Sequence, residues 1–365
     1  MAIRNLWRRK LRTLLTLAGI TIGIAVVVTL AMLAEGIAGQ ISALMSAGGA
    51  EITLMQAGIA DMQFSSLDQS EARILAEMPE VEWVSGLLLQ IVPIQQRPYF
   101  VVMGIDPQAE CFRHFRIIDG QTWQREDDIL LGRMAATFLE VAPGEAFLVS
   151  GEQFRVAGVY ETGVGMEDAA GVISLEAAQR LFRKPDLVNF FQVKLRPESL
   201  DEIDAVTQRI EERLPEMVAY RSSDFAEHTP DIQTLQSLAG LVSMIGLVAG
   251  ALAIANTMLM SVFERTREIG TLRALGWRKR KVLGMILAES LLLGLTGGVA
   301  GFGLGVGLIA MIAGSPALSG VVLLRPTPEI LMLGLTVALM LAGLGGLYPA
   351  WRASRLQPAE ALRYE

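Results

Sequence analysis

Cys111 and His114 are the first pair of side chains whose types and spacing could do chemistry. Their C-x-x-H spacing could supply two ligands to a metal ion. A second such pair is missing, because His228 is the only other histidine and Cys111 is the only cysteine. We therefore predict no metal site, and a chain with one cysteine forms no intramolecular disulfide.

Neighbouring carboxylates at Asp127–Asp128 and Glu211–Glu212 are the other candidates, because glycoside hydrolysis uses a pair of carboxyl groups. Adjacent acids in a charge-rich stretch are usually solvated, which favours a surface role. The hydrolase signature G-x-S-x-G is absent, and no lysine follows a glycine as a P-loop requires. We predict no catalytic residues and no cofactor in this chain. Any ATP and Mg²⁺ that drive the protein must be bound by another subunit.

Long stretches with almost no charge determine how the rest of the chain is organised. Of the 365 residues, 52% are hydrophobic, and they are concentrated in Thr13–Ala34, Ile232–Phe263, Val282–Leu324 and Ile330–Trp351. Only the third stretch contains a charge, at Glu289. Since about 20 apolar residues cross a bilayer, we predict four transmembrane helices, at residues 13–38, 232–263, 282–312 and 330–351.

The remaining segments follow from these four spans. The first span has a basic leader but is longer than a signal-peptide core and lacks an A-x-A cleavage site, so we interpret it as an uncleaved anchor. An apolar face formed by Ile3, Leu6, Trp7 and Leu11 predicts an amphipathic helix before it. The predicted segments are an N-terminal helix at 1–12, an inserted domain at 39–231, a loop at 264–281, an external loop at 313–329 and a tail at 352–365.

Basic residues cluster at Arg4–Arg12, Arg265–Lys281 and Arg352–Arg363, whereas the inserted domain is acidic. Positively charged flanks stay in the cytoplasm. Four spans place these three clusters on one side, so we predict cytoplasmic termini and an extracytoplasmic domain in the inner (plasma) membrane. Each cluster adjoins a span, which favours contact with the lipid bilayer and no nucleic-acid partner.

The inserted domain alternates strand-like and helix-like patterns. Runs rich in Val, Ile and Phe predict strands at 51–56, 83–95, 99–104, 146–150, 154–160 and 188–195. A hairpin turn is expected at 149–153. Apolar periodicity predicts a helix at 203–214 and weaker helices at 70–78 and 175–182. The predicted fold class is therefore an α-helical membrane protein with four transmembrane helices and an α+β extracytoplasmic domain between the first and second spans.

Polar and small residues within the spans suggest contacts between helices. Glu289 is either a neutral or hydrogen-bonded helix contact, which we favour, or a switchable or partner-binding site. Asn256 is interpreted as a polar contact between helices. Small-xxx-small spacing predicts close helix packing, either within the chain or in a homodimer, at Gly294, Gly297, Gly298, Gly301 and Gly305. The pair Gly303 and Gly307 has the same spacing.

The segment NTMLMSVFERTREIGTLRALGWRKRKVLGMILAESLLLGLTGGVAG (Asn256–Gly301), the closing YPAWRASRLQPAEALRYE and the opening IRNLWRRKLRTLLTLAGITIGIAVVV carry a resemblance. Together they resemble the FtsX-like, MacB-type permease family of ABC transporters. Across the inserted domain, VVMGID and GEQFRVAGVYETG look more loosely like the family's periplasmic domain.

The resemblance implies that residues 264–276 dock on an ABC ATP-binding subunit, and we call the whole predicted loop at 264–281 the coupling segment. The implied docking residues are Glu264, Arg265, Arg267, Glu268, Ile269, Gly270, Leu272, Arg273, Leu275 and Gly276. Independently, Ile269, Leu272 and Leu275 recur every three residues and predict a short amphipathic helix, ended by Gly276, whose apolar face meets either a protein partner or lipid headgroups.

The implied function is that of a permease subunit that pairs with a second copy of itself. ATP binding and hydrolysis in the partner would move the extracytoplasmic domain by mechanotransmission, with efflux or extraction of a lipidic, amphipathic or peptide substrate. The alternative is a transmitter that regulates an extracytoplasmic hydrolase or sensor without transport. Some systems of the family include a periplasmic adaptor and an outer-membrane channel, which the sequence does not require.

Overall fold

The computed structural model describes residues 10–59, 61–94, 97–315 and 327–357. The predicted N-terminal helix at 1–12 therefore lies almost entirely outside the described residues, as does most of the predicted external loop at 313–329. The chain divides into two compact units. One contains the long apolar helices, and the other is built mainly from residues 35–235.

Four long helices are apolar enough to cross a membrane among the residues that the structure describes. We call them the first to fourth spans, and they are Lys10–Met45, Pro230–Glu264, Lys279–Ala313 and Pro328–Ser354. Even the shortest, with 27 residues, is about 40 Å long at 1.5 Å per residue, which exceeds the roughly 30 Å of bilayer hydrocarbon. A short helix, Thr266–Ala274, lies between the second and third spans.

Buried glycines bring the third span against its neighbours. A methyl group added to them would meet Ala342 at Gly294, Ile20 at Gly297, Ala338 at Gly298, Ile24 at Gly301 and Val28 at Gly305. The partners belong to the first and fourth spans, so the glycine spacing lets these backbones approach closely. Because these five positions are occupied by contacts within the chain, a second copy would have to meet another surface.

The inserted domain is organised around one large sheet of ten strands, with the order β12-β1-β11-β3-β4-β9-β6-β8-β5 and β7 paired to β8. Pairs β4–β9 and β6–β8 are parallel. Strands β10 and β2 form a separate pair. The strands are β1 Ile52–Gln56, β2 Leu67–Asp68, β3 Val81–Ile94, β4 Arg97–Ile105, β5 Arg116–Gly120, β6 Asp128–Gly132, β7 Ala146–Val149, β8 Glu152–Glu161, β9 Gly171–Ser174, β10 Leu187–Val188, β11 Phe190–Leu195 and β12 Met217–Arg221.

The predicted strands are confirmed as β1, β3, β4, β7, β8 and β11, and the predicted hairpin is the turn between β7 and β8. That turn has two residues at positive φ, Ser150 and Gly151, as a tight hairpin with the twist of the flanking strands requires. Among the strands that the prediction missed are β5, β6, β9 and β12. The helices predicted at 203–214, 175–182 and 70–78 are confirmed in shortened form as Ile203–Arg213, Leu175–Leu181 and Ala72–Ala76.

Side chains of the sheet fill two separate cores on its two faces. In β3, Leu88 belongs to one core, and its neighbours Leu87 and Leu89 belong to the other. Successive residues of a strand point to opposite faces, so both faces of this sheet are buried. The second core also contains Leu44 and Met45, the last residues of the first helix. The remaining α-helices of the domain are Arg133–Leu139, Gly165–Asp168 and Phe225–His228.

Candidate functional site

The coupling segment begins where the helix of the second span breaks at Arg265. Thr266 opens the next helix, and its hydroxyl donates to the carbonyls of Val262 at 3.1 Å and Phe263 at 2.8 Å. Thr266 is buried. These hydrogen bonds satisfy carbonyls that lose their helical partners at the end of the second span, and so they hold the corner between the two helices.

Gly276 ends the short helix. Its φ of +89° is a conformation that favours glycine. The amide of Gly276 donates to the carbonyl of Arg273 at 3.1 Å, and the amide of Trp277 donates to the carbonyl of Leu272 at 3.1 Å. This pattern is a Schellman cap. The guanidinium of Arg273 closes it by donating to the Trp277 carbonyl at 2.9 Å. Arg273 is therefore engaged in the cap.

The short helix buries one face within the chain and exposes the other. Ile269 is 1% exposed and Gly270 is also buried, whereas Leu275 is 75% exposed. The prediction that Ile269, Leu272 and Leu275 share one face for a partner is therefore wrong for Ile269. Residues three apart on a helix are offset by about 60°, so this stripe rotates around the helix from the buried side to the exposed side. The outward surface is formed instead by Arg267, Glu268, Thr271, Ala274 and Leu275.

Arg265 joins the coupling segment to the third span. Its Nη1 atom donates to both carboxylate oxygens of Glu289, at 2.9 and 3.2 Å. The two side chains are only 18% and 14% exposed. Arg265 also pairs with the exposed Glu268 at 3.2 Å. Glu289 is thus a hydrogen-bonded contact, as favoured from the sequence, and its partner is a charged arginine. Arg265 faces the third span and is not part of the outward surface.

Arg352, at the end of the fourth span, is a contact that the sequence interpretation missed. Its guanidinium carbon lies 4.5 Å from the centroid of the Phe263 ring, at the end of the second span. A cation over an aromatic face is an attractive contact. The basic cluster at Arg352–Arg363 was explained by lipid headgroups alone. In the sequence, the position of Phe263 directly before Glu264 could have indicated an additional contact at this end of the span. The ends of the second and fourth spans are therefore tied together beside the coupling segment.

The other chemistry candidates are engaged in structural contacts. Asp128 is fully buried and accepts from Arg155 at 2.8 and 3.0 Å and from the amides of Gln124 and Arg125. Glu211 accepts from the amide of Ala219 at 3.0 Å. No three histidine, cysteine or acidic side chains are grouped to hold a metal ion in the part of the chain that the structure describes. The Cys111 thiol is buried, and this burial raises its pKa to about 12.

Two family models together cover most of the chain. Residues 240–358, which include the coupling segment, match the FtsX-like permease C-terminal model. Residues 13–213 match the MacB-like periplasmic core domain, and this match covers more than half of the chain. The chain belongs to the FtsX-like, MacB-type permease family. This membership confirms the resemblance drawn from the sequence, and the permease is a membrane protein with four spans and an α+β domain between the first and second.

Relatives of the permease differ in what they contain besides this region. The Macrolide export ATP-binding/permease protein MacB of Bdellovibrio bacteriovorus is 29% identical over 99% of this chain and 61% of its own length. This chain therefore spans about three fifths of that relative. An uncharacterized ABC transporter permease of Methanocaldococcus jannaschii is 25% identical and is covered over 97% of its length. The uncharacterized ABC transporter permease YknZ of Bacillus subtilis is 26% identical and is covered over 98%.

One polar side chain that the sequence interpretation placed in a contact between helices lies on the surface of the permease spans. Asn256 of the second span is exposed, and so it does not bridge the described helices as the sequence interpretation proposed. Gly303 and Gly307 of the third span also face open space, in contrast to the five buried glycines of the same helix. An exposed amide on a span is costly in hydrocarbon unless another molecule satisfies it.

Proposed function

We propose that the permease is the transmembrane subunit of an ABC transporter that converts ATP binding and hydrolysis in a separate subunit into motion of its extracytoplasmic domain. The motion would export or extract a lipidic, amphipathic or peptide substrate. The observation that carries the proposal is the short capped helix with an outward charged surface and a partly buried ion pair to the third span. If a partner displaces this helix, its cap and its ion pair to the third span allow the displacement to be transmitted to that span as a rigid-body motion.

The orientation of the proposed subunit follows from charge. The coupling segment and the C-terminal flank are basic, and basic flanks stay cytoplasmic, where ATP is present. The inserted domain then lies outside the cytoplasm. The spans contain almost no ionisable groups, which suits transmission of force better than conduction of a polar solute. ATP and Mg²⁺ would be bound by the partner, as the ATP-binding/permease name of the MacB relative suggests.

Leu275→Asp tests the docking surface. Since Leu275 is 75% exposed, the change leaves no cavity and should not affect folding of the permease alone. If Leu275 enters a pocket of the ATP-binding subunit, we expect co-purification to fall at least about tenfold, which corresponds to a typical interface contact of about 1.4 kcal/mol or more. The measurement is pull-down of an ABC ATP-binding subunit co-expressed with the permease, quantified against the permease recovered.

The matched control for this variant is Leu148→Asp, at a half-exposed leucine of the inserted domain. It should co-purify like the wild type. Ile269→Asp is not a clean probe, because Ile269 is buried and its loss should destabilise the permease itself. Undiminished co-purification of Leu275→Asp would contradict the docking proposal.

Two measurements on the assembled complex distinguish a transporter from a regulatory transmitter. For a transporter, ATP hydrolysis by the complex in lipid nanodiscs should rise when an exported amphipathic compound or lipopeptide is added. For a transmitter, no compound would stimulate hydrolysis, whereas a bound extracytoplasmic hydrolase would change its activity with nucleotide. The second result would replace the transport function but retain the coupling mechanism.

The exposed Asn256 supports pairing of the permease with a second copy of itself. Two copies related by a two-fold axis could satisfy both amides by mutual hydrogen bonds. In a cysteine-free Cys111→Ala background, Asn256→Cys should therefore cross-link into dimers in membranes. Leu335→Cys, on an exposed position of the fourth span, is the control and should remain monomeric. Equal cross-linking of the two variants would argue against a second-span interface.

A further inference from the structure

His114 is enclosed by two hydrogen-bond acceptors. Its Nε2 atom lies 2.8 Å from Oε2 of Glu167, and its Nδ1 atom lies 2.5 Å from the backbone carbonyl oxygen of Cys111. A carbonyl and a carboxylate only accept hydrogen bonds, so both ring nitrogens must carry protons when Glu167 is ionised. The C-x-x-H spacing noted in the sequence therefore serves an ion pair, in which the carbonyl of Cys111 orients the ring.

The pair is well shielded from water. The Glu167 side chain is 3% exposed and that of His114 is 21% exposed. The hydroxyl of Tyr160 donates to the backbone carbonyl of Glu167 at 2.7 Å and so fixes the helix Gly165–Asp168 that carries it. A buried pair in this setting is stabilising only while both partners keep their charges, because an unpaired buried charge is costly.

Two other acids near His114, Asp168 and Glu110, have partners of their own. Asp168, on the same helix as Glu167, accepts hydrogen bonds from Thr162 and the Gly163 amide. On the helix of His114 itself, Glu110 and Arg113 pair with each other at 2.8 Å on the solvent side. The segment Ala47–Gly49, which packs on the other side, has no charged side chain of its own, but the ammonium group of Lys194 packs against Gly49. Glu167 is therefore the acid that binds the imidazole directly.

The pair lies where the first helix ends inside the domain. Gln40 of that helix accepts from the amide of Met166, next to Glu167, at 3.1 Å. Just beyond the helix, Gly48 has a φ of +66°, and a methyl group there would lie 3.3 Å from the Cα of Cys111 and 3.4 Å from Nδ1 of His114. The two elements that contact this end of the helix are therefore linked to each other by the His114–Glu167 pair.

We propose that His114 and Glu167 form a protonated latch that closes the inserted domain around the end of the first helix, and that the latch opens when the imidazolium loses its proton. The latch adds a pH-sensitive joint to the permease. It stands independently of the proposed ATP coupling, because every contact in it belongs to the inserted domain and the end of the helix that enters it.

The direction of the pH effect follows from the surroundings of His114. Burial alone would lower the pKa of the imidazole, but the hydrogen bond and negative charge of Glu167, together with the carbonyl of Cys111 and the negative charge of Asp168, outweigh it, so the pKa of His114 is raised above its ordinary value. A raised pKa in the folded state means that the stabilisation is fully present below the unfolded pKa. It is lost as the pH rises through the folded pKa. The latch should therefore open on the alkaline side.

Histidine NMR on the full-length chain tests the protonation state directly. The chain has two histidines, so His228→Gln, made with an affinity tag that contains no histidine, leaves a single imidazole signal. We expect the imidazole to titrate with a midpoint above the ordinary value of about 6.5, with both ring nitrogens protonated below that midpoint. Glu167→Gln should shift the midpoint to lower pH by at least one unit, a tenfold change in proton affinity. A midpoint at or below the ordinary value, or an unchanged midpoint in Glu167→Gln, would overturn the latch.

Hydrogen exchange of the unmodified chain tests the opening without relying on a variant that might misfold. Protection factors for segments 40–50 and 163–170 should fall at least tenfold as the pH rises through the His114 midpoint. The central pair β3–β4 should keep its protection and serves as the internal control. The same loss of protection should already be present below the midpoint in His114→Gln. Protection that is constant across the midpoint in the wild type would refute the opening.

Discussion

Glu289→Ala is expected to lower the free energy of unfolding of the spans by about 1–3 kcal/mol, between the cost of losing an exposed ion pair and that of removing one partner of a fully buried one, because the two side chains are partly buried. The change leaves the guanidinium of Arg265, 18% exposed, with only the exposed Glu268 as a partner. Unfolding in a denaturing detergent series should report the loss. Hydrogen exchange should localise it to the helix Thr266–Ala274.

Two further variants show whether the Arg265–Glu289 pair causes this loss. Glu268→Ala breaks only the exposed contact of Arg265 and should cost less than about 1 kcal/mol. Arg265→Ala combined with Glu289→Ala should recover much of the stability, because no partly buried charge is left without its partner. If the double variant is no more stable than Glu289→Ala, the ion pair is not the source of the effect.

The same variants separate docking from transmission in the proposed function. Leu275→Asp should lose the ATP-binding subunit, whereas Glu289→Ala should still bind it and fail to respond to it. A complex of Glu289→Ala that hydrolyses ATP but no longer exports substrate would indicate that force passes through the Arg265–Glu289 pair. Full export by this variant would place the transmission elsewhere.

Gly301→Val is expected to force the first and third spans apart. The first atom of the new side chain would lie 2.8 Å from both Cβ of Ile24 and the backbone carbonyl oxygen of Thr21. Rotation of a side chain moves neither the Cβ atom of Ile24 nor a backbone carbonyl, so we expect a loss at or above the upper end of the roughly 1–3 kcal/mol that overpacking usually costs. Unfolding in detergent and the yield of inserted protein measure it.

Gly303→Val is the matched control, two residues along the same helix. Gly303 faces open space, with no atom within 4 Å of an added methyl group. Both variants change helix propensity and chain entropy alike, so the difference between them isolates the contact with the first span. Equal effects of the two substitutions would contradict the packing described for Gly301.

The sequence patterns missed several strands for physical reasons. In β6, Ile129 and Leu131 enter one core and Leu130 the other, so the run is apolar throughout and shows no alternation. Strand β9 is only four residues long and is followed directly by a helix that begins at Leu175. By contrast, β7 and β8 were predicted because the turn residues at 149–153 lie between two apolar runs, and the structure confirms the turn with Ser150 and Gly151 at positive φ.

What the sequence by itself determined is local. Four apolar stretches of sufficient length predict four spans, because each segment must by itself be long and apolar enough to cross the bilayer. The helix of the coupling segment and its end at Gly276 follow in the same way from periodicity within a few turns. Tertiary structure decided which side of that helix is buried and which charge Glu289 meets. It also decided that His114 faces Glu167, more than fifty residues away. Those contacts depend on which elements pack together. The residue pattern within one element does not show which other element it contacts.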